Sequence, residues 1–162
     1  MVDIARLPKP DWLKKRVPSG QACTEVSSLL RDRQLHTVCQ EAHCPNLGEC
    51  FSRGTATFMI LGDKCTRSCS FCAVRHDIPL PLDEGEPQRV AMAVEALGLR
   101  YVVITSVTRD DLVDGGAFQF VKTIEMLHKN RRDIIVEVLI PDFRGSTDAL
   151  RAVIEAKPQV IN

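Results

Sequence analysis

No apolar run in this chain approaches the roughly 18 to 20 residues needed to cross a bilayer. The longest, Tyr101 to Val107 and Ile134 to Ile140, have the length of strands, so a membrane-spanning helix is excluded. Net charge is lacking too. Lys plus Arg and Asp plus Glu stand at 21 each, and no overall field draws the chain to nucleic acid, an anionic membrane or an acidic partner. Met1 to Pro10 carries charges and prolines where a signal peptide would be apolar, and no Arg/Ser-rich presequence follows. The expected location is the cytoplasm. No G-x-x-x-x-G-K-[ST] run is present, so Gly115 and Gly116 are not expected to cradle a triphosphate. Cysteine is missing after Cys72 and its total of seven is odd, which argues against a closed disulfide framework and for reduced thiols.

What is present is a crowd of thiols and a repeating pattern behind it. Six of the seven cysteines lie between Cys39 and Cys72; such crowding suggests metal ligation, while Cys23 reads as ordinary buried packing. Up to about Gly54 the sequence shows no sustained strand alternation and one short helical candidate, Thr24 to Leu35. From Thr57 onward, short apolar runs alternate with amphipathic segments, the pattern of a parallel sheet with crossover helices. The expected strands are Thr57–Leu61, Tyr101–Val107, Ile134–Ile140 and the start of a fourth at Gln159–Asn162. Between them the expected helices carry Val90, Val94 and Leu97 after Pro87 and before Gly98; then Phe120, Ile124 and Leu127 after Gly115 and Gly116. The last carries Leu150, Val153 and Ile154 after an N-cap at Ser146. The fold class is α/β: three βα units plus the beginning of a fourth strand, a partial TIM-type barrel. Residues 1–54 form a cysteine-bearing extension and residues 55–162 the incomplete barrel.

Directly after the first strand comes Gly62-Asp63-Lys64-Cys65-Thr66-Arg67-Ser68-Cys69-Ser70-Phe71-Cys72, with the spacing C-x3-C-x2-C. In βα barrels the reactive groups sit on loops at the carboxyl ends of strands, which is where this loop begins. Arg67 and Lys64 are expected to help keep the thiols deprotonated. Structural zinc wants four ligands, and here only His76 lies near enough to complete a set. The bacterial ferredoxin run is not matched, so three cysteines leave one position open. The earlier set Cys39, Cys44 and Cys50, C-x4-C-x5-C, matches no standard zinc or ferredoxin spacing; Pro45 and Gly48 make a turn there plausible.

The C-x3-C-x-F-C motif after the first strand of a βα repeat resembles the signature of radical S-adenosylmethionine (SAM) enzymes. Together with the C-x4-C-x5-C set, the stretches Gly54 to Asp63, Thr105 to Leu112, Asp114 to Ala117 and Val138 to Gly145, and Arg6 to Pro10 with Trp12-Leu13, the chain resembles lipoyl synthases over nearly its whole length. The resemblance implies a radical SAM sulfurtransferase. Cys65, Cys69 and Cys72 would bind a 4Fe-4S cluster whose fourth iron takes SAM, and Thr105, Ser106 and Arg109 would lie against SAM. Cys39, Cys44 and Cys50 would hold an auxiliary 4Fe-4S cluster consumed as the sulfur source. The reaction implied is sulfur insertion at the sixth and eighth carbons of a protein-bound octanoyl group. The partners implied are octanoylated carrier domains, such as dehydrogenase E2 subunits and the glycine cleavage H protein, and an electron donor such as ferredoxin or flavodoxin.

The pattern departs from the family in one respect. Lipoyl synthases close the auxiliary cluster with a serine in an Arg-Ser-Ser-Tyr context, and no serine here lies in it. Family barrels also have six βα units. The expectation is therefore a truncated chain, weakly active or inactive alone; the alternative reading is an iron-sulfur binding fragment without turnover. Plainer readings apply to other residues. His36 and His43 suit surface or packing roles, Asp110 and Asp111 a solvated loop or cap, and Phe118 and Phe120 a helix core. Lys9, Lys14, Lys15 and Arg16 could meet an acidic carrier domain or simply face solvent.

Overall fold

A computed structural model of the chain describes residue 10 and residues 20–53 and 55–162. Lys9, Lys14, Lys15, Arg16 and the boundary residue Gly54 lie outside the described residues, as does most of the Arg6 to Leu13 stretch. In chain order the elements are α1 (Gln21–Asp32), β1 (His36–Thr37), α2 (Val38–Glu41), α3 (Leu47–Ser52), β2 (Thr57–Ile60), α4 (Glu86–Ala96), β3 (Tyr101–Ser106), α5 (Ala117–Asn130), β4 (Ile135–Leu139), α6 (Thr147–Glu155) and β5 (Val160–Ile161).

The apolar runs form strands because β-branched and aromatic residues fill the helix-covered face of the sheet: Phe58 and Ile60 on β2, Val102 and Ile104 on β3, Val136 and Val138 on β4 are all buried. Sheet order follows sequence order, β1-β2-β3-β4-β5, with β2 to β5 parallel. Successive helices also pack on each other, α4 on α5 and α5 on α6. All three crossovers therefore lie on one face, as in a βα barrel, and the sheet is not doubly wound. Buried Val90 and Val94 of α4, Phe120, Ile124 and Leu127 of α5, and Val153 of α6 meet the strands there.

Helix ends follow local chemistry. Pro87 sits in the first turn of α4, and Gly98, at φ 65°, lets its own N–H reach Glu95 O and the Leu99 N–H reach Val94 O, so the chain turns off the helix with its carbonyls satisfied. The Ser146 hydroxyl accepts from Ala149 N at 3.2 Å and starts α6.

Several expectations change. Strands end a residue or more earlier than their apolar runs, the usual fraying at an element's end, although Val107 N and Ile140 N still donate across to Ile60 O and Asn162 O. The expected helix at 24–35 is α1, shifted to Gln21–Asp32. The extension also adds an edge strand: His36 and Thr37 pair antiparallel with Met59 and Phe58. Gly48 lies within α3 and not in a turn. Leu150 and Ile154 are exposed, and α6 buries only Ala149 and Val153, because α5 covers just one of its flanks. Phe118 is exposed under the Lys122 ammonium, at 4.6 Å from the ring centroid, whereas Phe120 is fully buried.

Candidate functional site

Strand register places the site. Ile60 pairs with Ser106 and Thr105 pairs with Leu139, so β2, β3 and β4 end nearly level and their following loops share one side. At the end of β2 the backbone turns through Leu61 (φ 71°) and Gly62 (φ 90°). Their N–H groups leave the ladder and donate to the buried Glu86 carboxylate at 2.8 and 3.4 Å. Gln119 donates to the same carboxylate at 3.3 Å.

The loop that follows is clamped at its first cysteine. Cys65 N donates to Arg75 O and Asp77 N to Cys65 O. Thr66 donates through both N–H and hydroxyl to Thr108 O at 3.0 Å, and its hydroxyl accepts from Asp110 N at 3.0 Å. The Cys65 Sγ accepts from Thr108 N at 3.3 Å and Arg67 N at 3.5 Å. These two N–H contacts fix where the sulfur points. Cys65 is half-buried, whereas Cys69 and Cys72 are exposed and share only the local bond from Cys72 N to Cys69 O.

The basic side chains of this loop do something other than expected. Arg67 lies between two carboxylates, Asp110 at 2.6 and 2.8 Å and Asp142 at 2.9 Å twice. Lys64 faces Asp77 at 3.7 Å. Their charges are offset by acids and are not free to act on the thiols. The Arg67 guanidinium holds the Asp142 carboxyl down at about 2, and Asp110 is lowered for the same reason. Asp110 and Asp111 are loop residues, as expected, and both are ion-paired, with Asp111 exposed and held by both Nε and Nη2 of Arg109 at 2.9 Å.

The second set is spread over short elements: Cys39 is buried on α2, Cys44 follows in a turn, and Cys50 sits on α3. The bond from Cys44 N to Cys39 O folds the first two together. Burial pushes the Cys50 thiol up, and the nearby Cys39 and Cys44 push the same way. A thiol so placed ionises more readily once a cation joins it, the condition that a metal centre meets. Among the described residues no three His, Cys, Asp or Glu side chains converge on a point that one metal ion would fill; a cluster is broader than an ion, and its thiols stand apart at separate corners. His36 keeps to packing, with Nδ1 at 3.3 Å from Glu41.

Thr105 and Ser106 stand at the carboxyl end of β3 beside the cysteine loop. Thr105 donates to Leu139 O at 3.1 Å, and the Ser106 hydroxyl is buried with no hydrogen-bond partner among the described residues. A buried hydroxyl left unpaired at this position fits a site completed by a polar ligand. Arg109 is buried and directs its donors to Asp111 and to Leu61 O. A cavity of about 260 Å³ opens between the two cysteine regions, lined by Gln34 and His36 on one side and by Asp63, Lys64 and Arg109 on the other. Sequence reasoning missed Thr108, Asp142, Glu86 and Gln119. Their only signals were acids and amides at strand and helix ends, common to many solvated loops.

Comparison with known proteins adds the following. Residues 59–162 match the model of the radical SAM superfamily, and residues 3–44 match the N-terminal domain of lipoyl synthase of the radical SAM family. Cys65, Cys69 and Cys72 fall in the first match, Cys39 and Cys44 in the second. The chain is 58% identical over 154 residues to a lipoyl synthase of Caldanaerobacter subterraneus subsp. tengcongensis, covering 95% of this chain and 54% of that protein. It is 54% identical over 157 residues to one from Desulfotalea psychrophila, covering 97% and 52%. A lipoyl synthase of Natronomonas pharaonis is 53% identical over 161 residues, with 97% and 52% covered. The chain spans about half the length of the curated relatives it matches.

Proposed function

This chain belongs to the radical SAM superfamily, and we propose that it carries the two cluster sites of a lipoyl synthase. The observation that bears the reading is the C-x3-C-x2-C loop leaving β2 and docked through Thr66 onto the loop after β3. In this reading Cys65, Cys69 and Cys72 hold one 4Fe-4S cluster with an iron left for SAM, and Cys39, Cys44 and Cys50 hold the auxiliary one. When bound, these groups supply one electron to the SAM sulfonium, a 5′-deoxyadenosyl radical that removes hydrogen from the sixth and eighth carbons of an octanoyl chain, and the sulfur that replaces it.

The chain's own residues orient and hold. The N–H groups of Thr108 and Arg67 fix the position of Cys65 Sγ. The Ser106 hydroxyl, unpaired and buried, is the donor or acceptor most available to SAM, with Thr105 beside it. Arg109 acts at one remove, by holding the Leu61 carbonyl where the loop begins. The substrate is an octanoylated carrier domain, as in dehydrogenase E2 subunits and the glycine cleavage H protein, and the electron comes from a ferredoxin or flavodoxin in a reducing cytoplasm.

The test is anaerobic reconstitution with iron and sulfide. The expected product is a brown protein whose iron content falls to that of a single cluster in Cys44→Ala. With SAM, reductant and an octanoylated carrier peptide, 5′-deoxyadenosine and sulfur-bearing peptide are then sought by mass spectrometry. Deoxyadenosine alone means a working SAM cluster with a defective sulfur donor, and iron without either product means a cluster-holding fragment without turnover. A colourless, iron-free protein would end the proposal.

A further inference from the structure

We infer that Arg67 is the positioning residue of the cysteine loop: shared between Asp110 and Asp142, it staples the loop bearing Cys65, Cys69 and Cys72 to the loops that follow β3 and β4. The inference rests on the reading of those cysteines as cluster ligands and adds to it a part for residues between and beyond them. Arg67 uses its whole fork. Nε and Nη2 donate to Asp110 at 2.6 and 2.8 Å, and Nη1 and Nη2 donate to Asp142 at 2.9 Å each. Two paired contacts on one planar cation fix orientation as well as distance, which a single ammonium could not do.

Both acids are held in place. Asp110 N is tied to the Thr66 hydroxyl and Asp110 O accepts from Arg144 Nη1 at 3.5 Å. Asp142 sits at the head of a turn in which Phe143, Arg144 and Gly145 take φ of 44°, 54° and 79°. Non-glycine residues hold such values only when their surroundings insist. Here Asp142 Oδ1 accepts from Arg144 N at 3.0 Å, and the Phe143 ring is buried edge-on against Phe120, centroids 6.2 Å apart. The turn after β4 therefore presents its carboxylate ready-made.

The stretch that Arg67 anchors is held mainly at its two ends. Among the described residues, nothing from Ser68 to Val74 hydrogen-bonds to the rest of the fold, and Cys69, Phe71 and Cys72 are exposed. Val74, packed against the core, and Arg75, whose carbonyl accepts from Cys65 N, fasten the far end, and Arg67 fastens the near end, from which the two exposed thiols depart. With Arg144 also at Asp110, two cations stand against two carboxylates, and the junction has no net positive charge to offer the thiols. Its work is geometric.

The test uses the whole chain with Cys39, Cys44 and Cys50 changed to alanine, so that iron reports on the loop alone. Arg67→Ala, Arg67→Lys and Asp142→Asn are compared with this parent after anaerobic reconstitution. Affinity for the cluster is expected to drop about ten-fold or more in all three, the scale of losing a partner that orients a metal ligand. The electron paramagnetic resonance signal of the reduced cluster should also lose its response to SAM, while far-ultraviolet circular dichroism stays unchanged. Lysine should not rescue, since it cannot bridge both acids. A second measurement needs no iron: amide exchange at Thr66, whose N–H bonds to Thr108 O, should be roughly ten-fold faster in each variant, the effect of one lost charge-assisted hydrogen bond. Parental iron, spectrum and exchange in Arg67→Ala would overturn the staple. Faster exchange in a parent that takes no iron would keep the staple and overturn the cluster reading.

Discussion

Gly116 lacks a side chain where none would fit. It caps α5 at φ 90°, and a Cβ there would stand 2.3 Å from Leu61 Cδ1. Leu61 is itself at φ 71° and opens the cysteine loop, so this glycine and that leucine fix the loop's point of departure together. Gly116→Ala is expected to cost about 1 kcal/mol for the left-handed backbone and about 1–3 kcal/mol for the clash. Chemical denaturation should show the loss, whose size is set by how far the buried Leu61 side chain can turn. A neutral Gly116→Ala would mean that the loop's exit is softer than its geometry implies. The two phenylalanines of α5 carry a related lesson. The plainer reading gave both to the helix core, but residues two apart point to opposite sides of a helix, and only Phe120 faces the sheet and Phe143, while Phe118 lies exposed beneath Lys122.

Among the elements, the start of α4 matters most to the site. Glu86 opens that helix, where its charge suits the helix N-terminus. It accepts from Leu61 N, Gly62 N and Gln119 Nε2. One buried carboxylate thus joins the end of β2, the beginning of α4 and the first turn of α5. Glu86→Ala leaves those buried N–H groups without an acceptor, at about 1–3 kcal/mol for each group that finds no water. The midpoint of urea unfolding should drop accordingly, with Glu86→Gln losing less because one oxygen remains. Amide exchange at Leu61 and Gly62 should speed up before that of the β3 amides, which keep their ladder partners. Equal protection of Leu61 in Glu86→Ala and the parent would refute this role.

Over the whole molecule the acids set the response to pH. Asp83, Asp110, Asp111 and Asp142 are all held below the ordinary carboxylate value of 3.8, each chiefly by a hydrogen bond from an arginine. A carboxyl depressed in the folded state adds stability that is complete above its unfolded value and fades as pH falls through the folded one. Stability of the iron-free chain should therefore be level from neutral pH down to about 4 and decline from there toward about 2, where Asp142 takes its proton. Asp142→Asn should flatten the lower part of that decline. Urea titrations at stepped pH would check it; a fall already complete near pH 5 would point to other groups.

The sequence by itself determined the βα alternation, the helix ends at Pro87, Gly98 and Ser146, and the two cysteine triads. These depend on neighbours a few residues apart: periodicity, backbone preference, and cysteine spacing along the chain. It could not show that Arg67 serves two acids and not the thiols. Asp110 and Asp142 lie 43 and 75 residues further on. Nor could it show that His36 and Thr37 would pair with β2, since a two-residue strand has no period to read. Only the tertiary structure decided these points. Parallel register brings the ends of three strands level, and a charge or an edge finds its partner across that level and not along the chain.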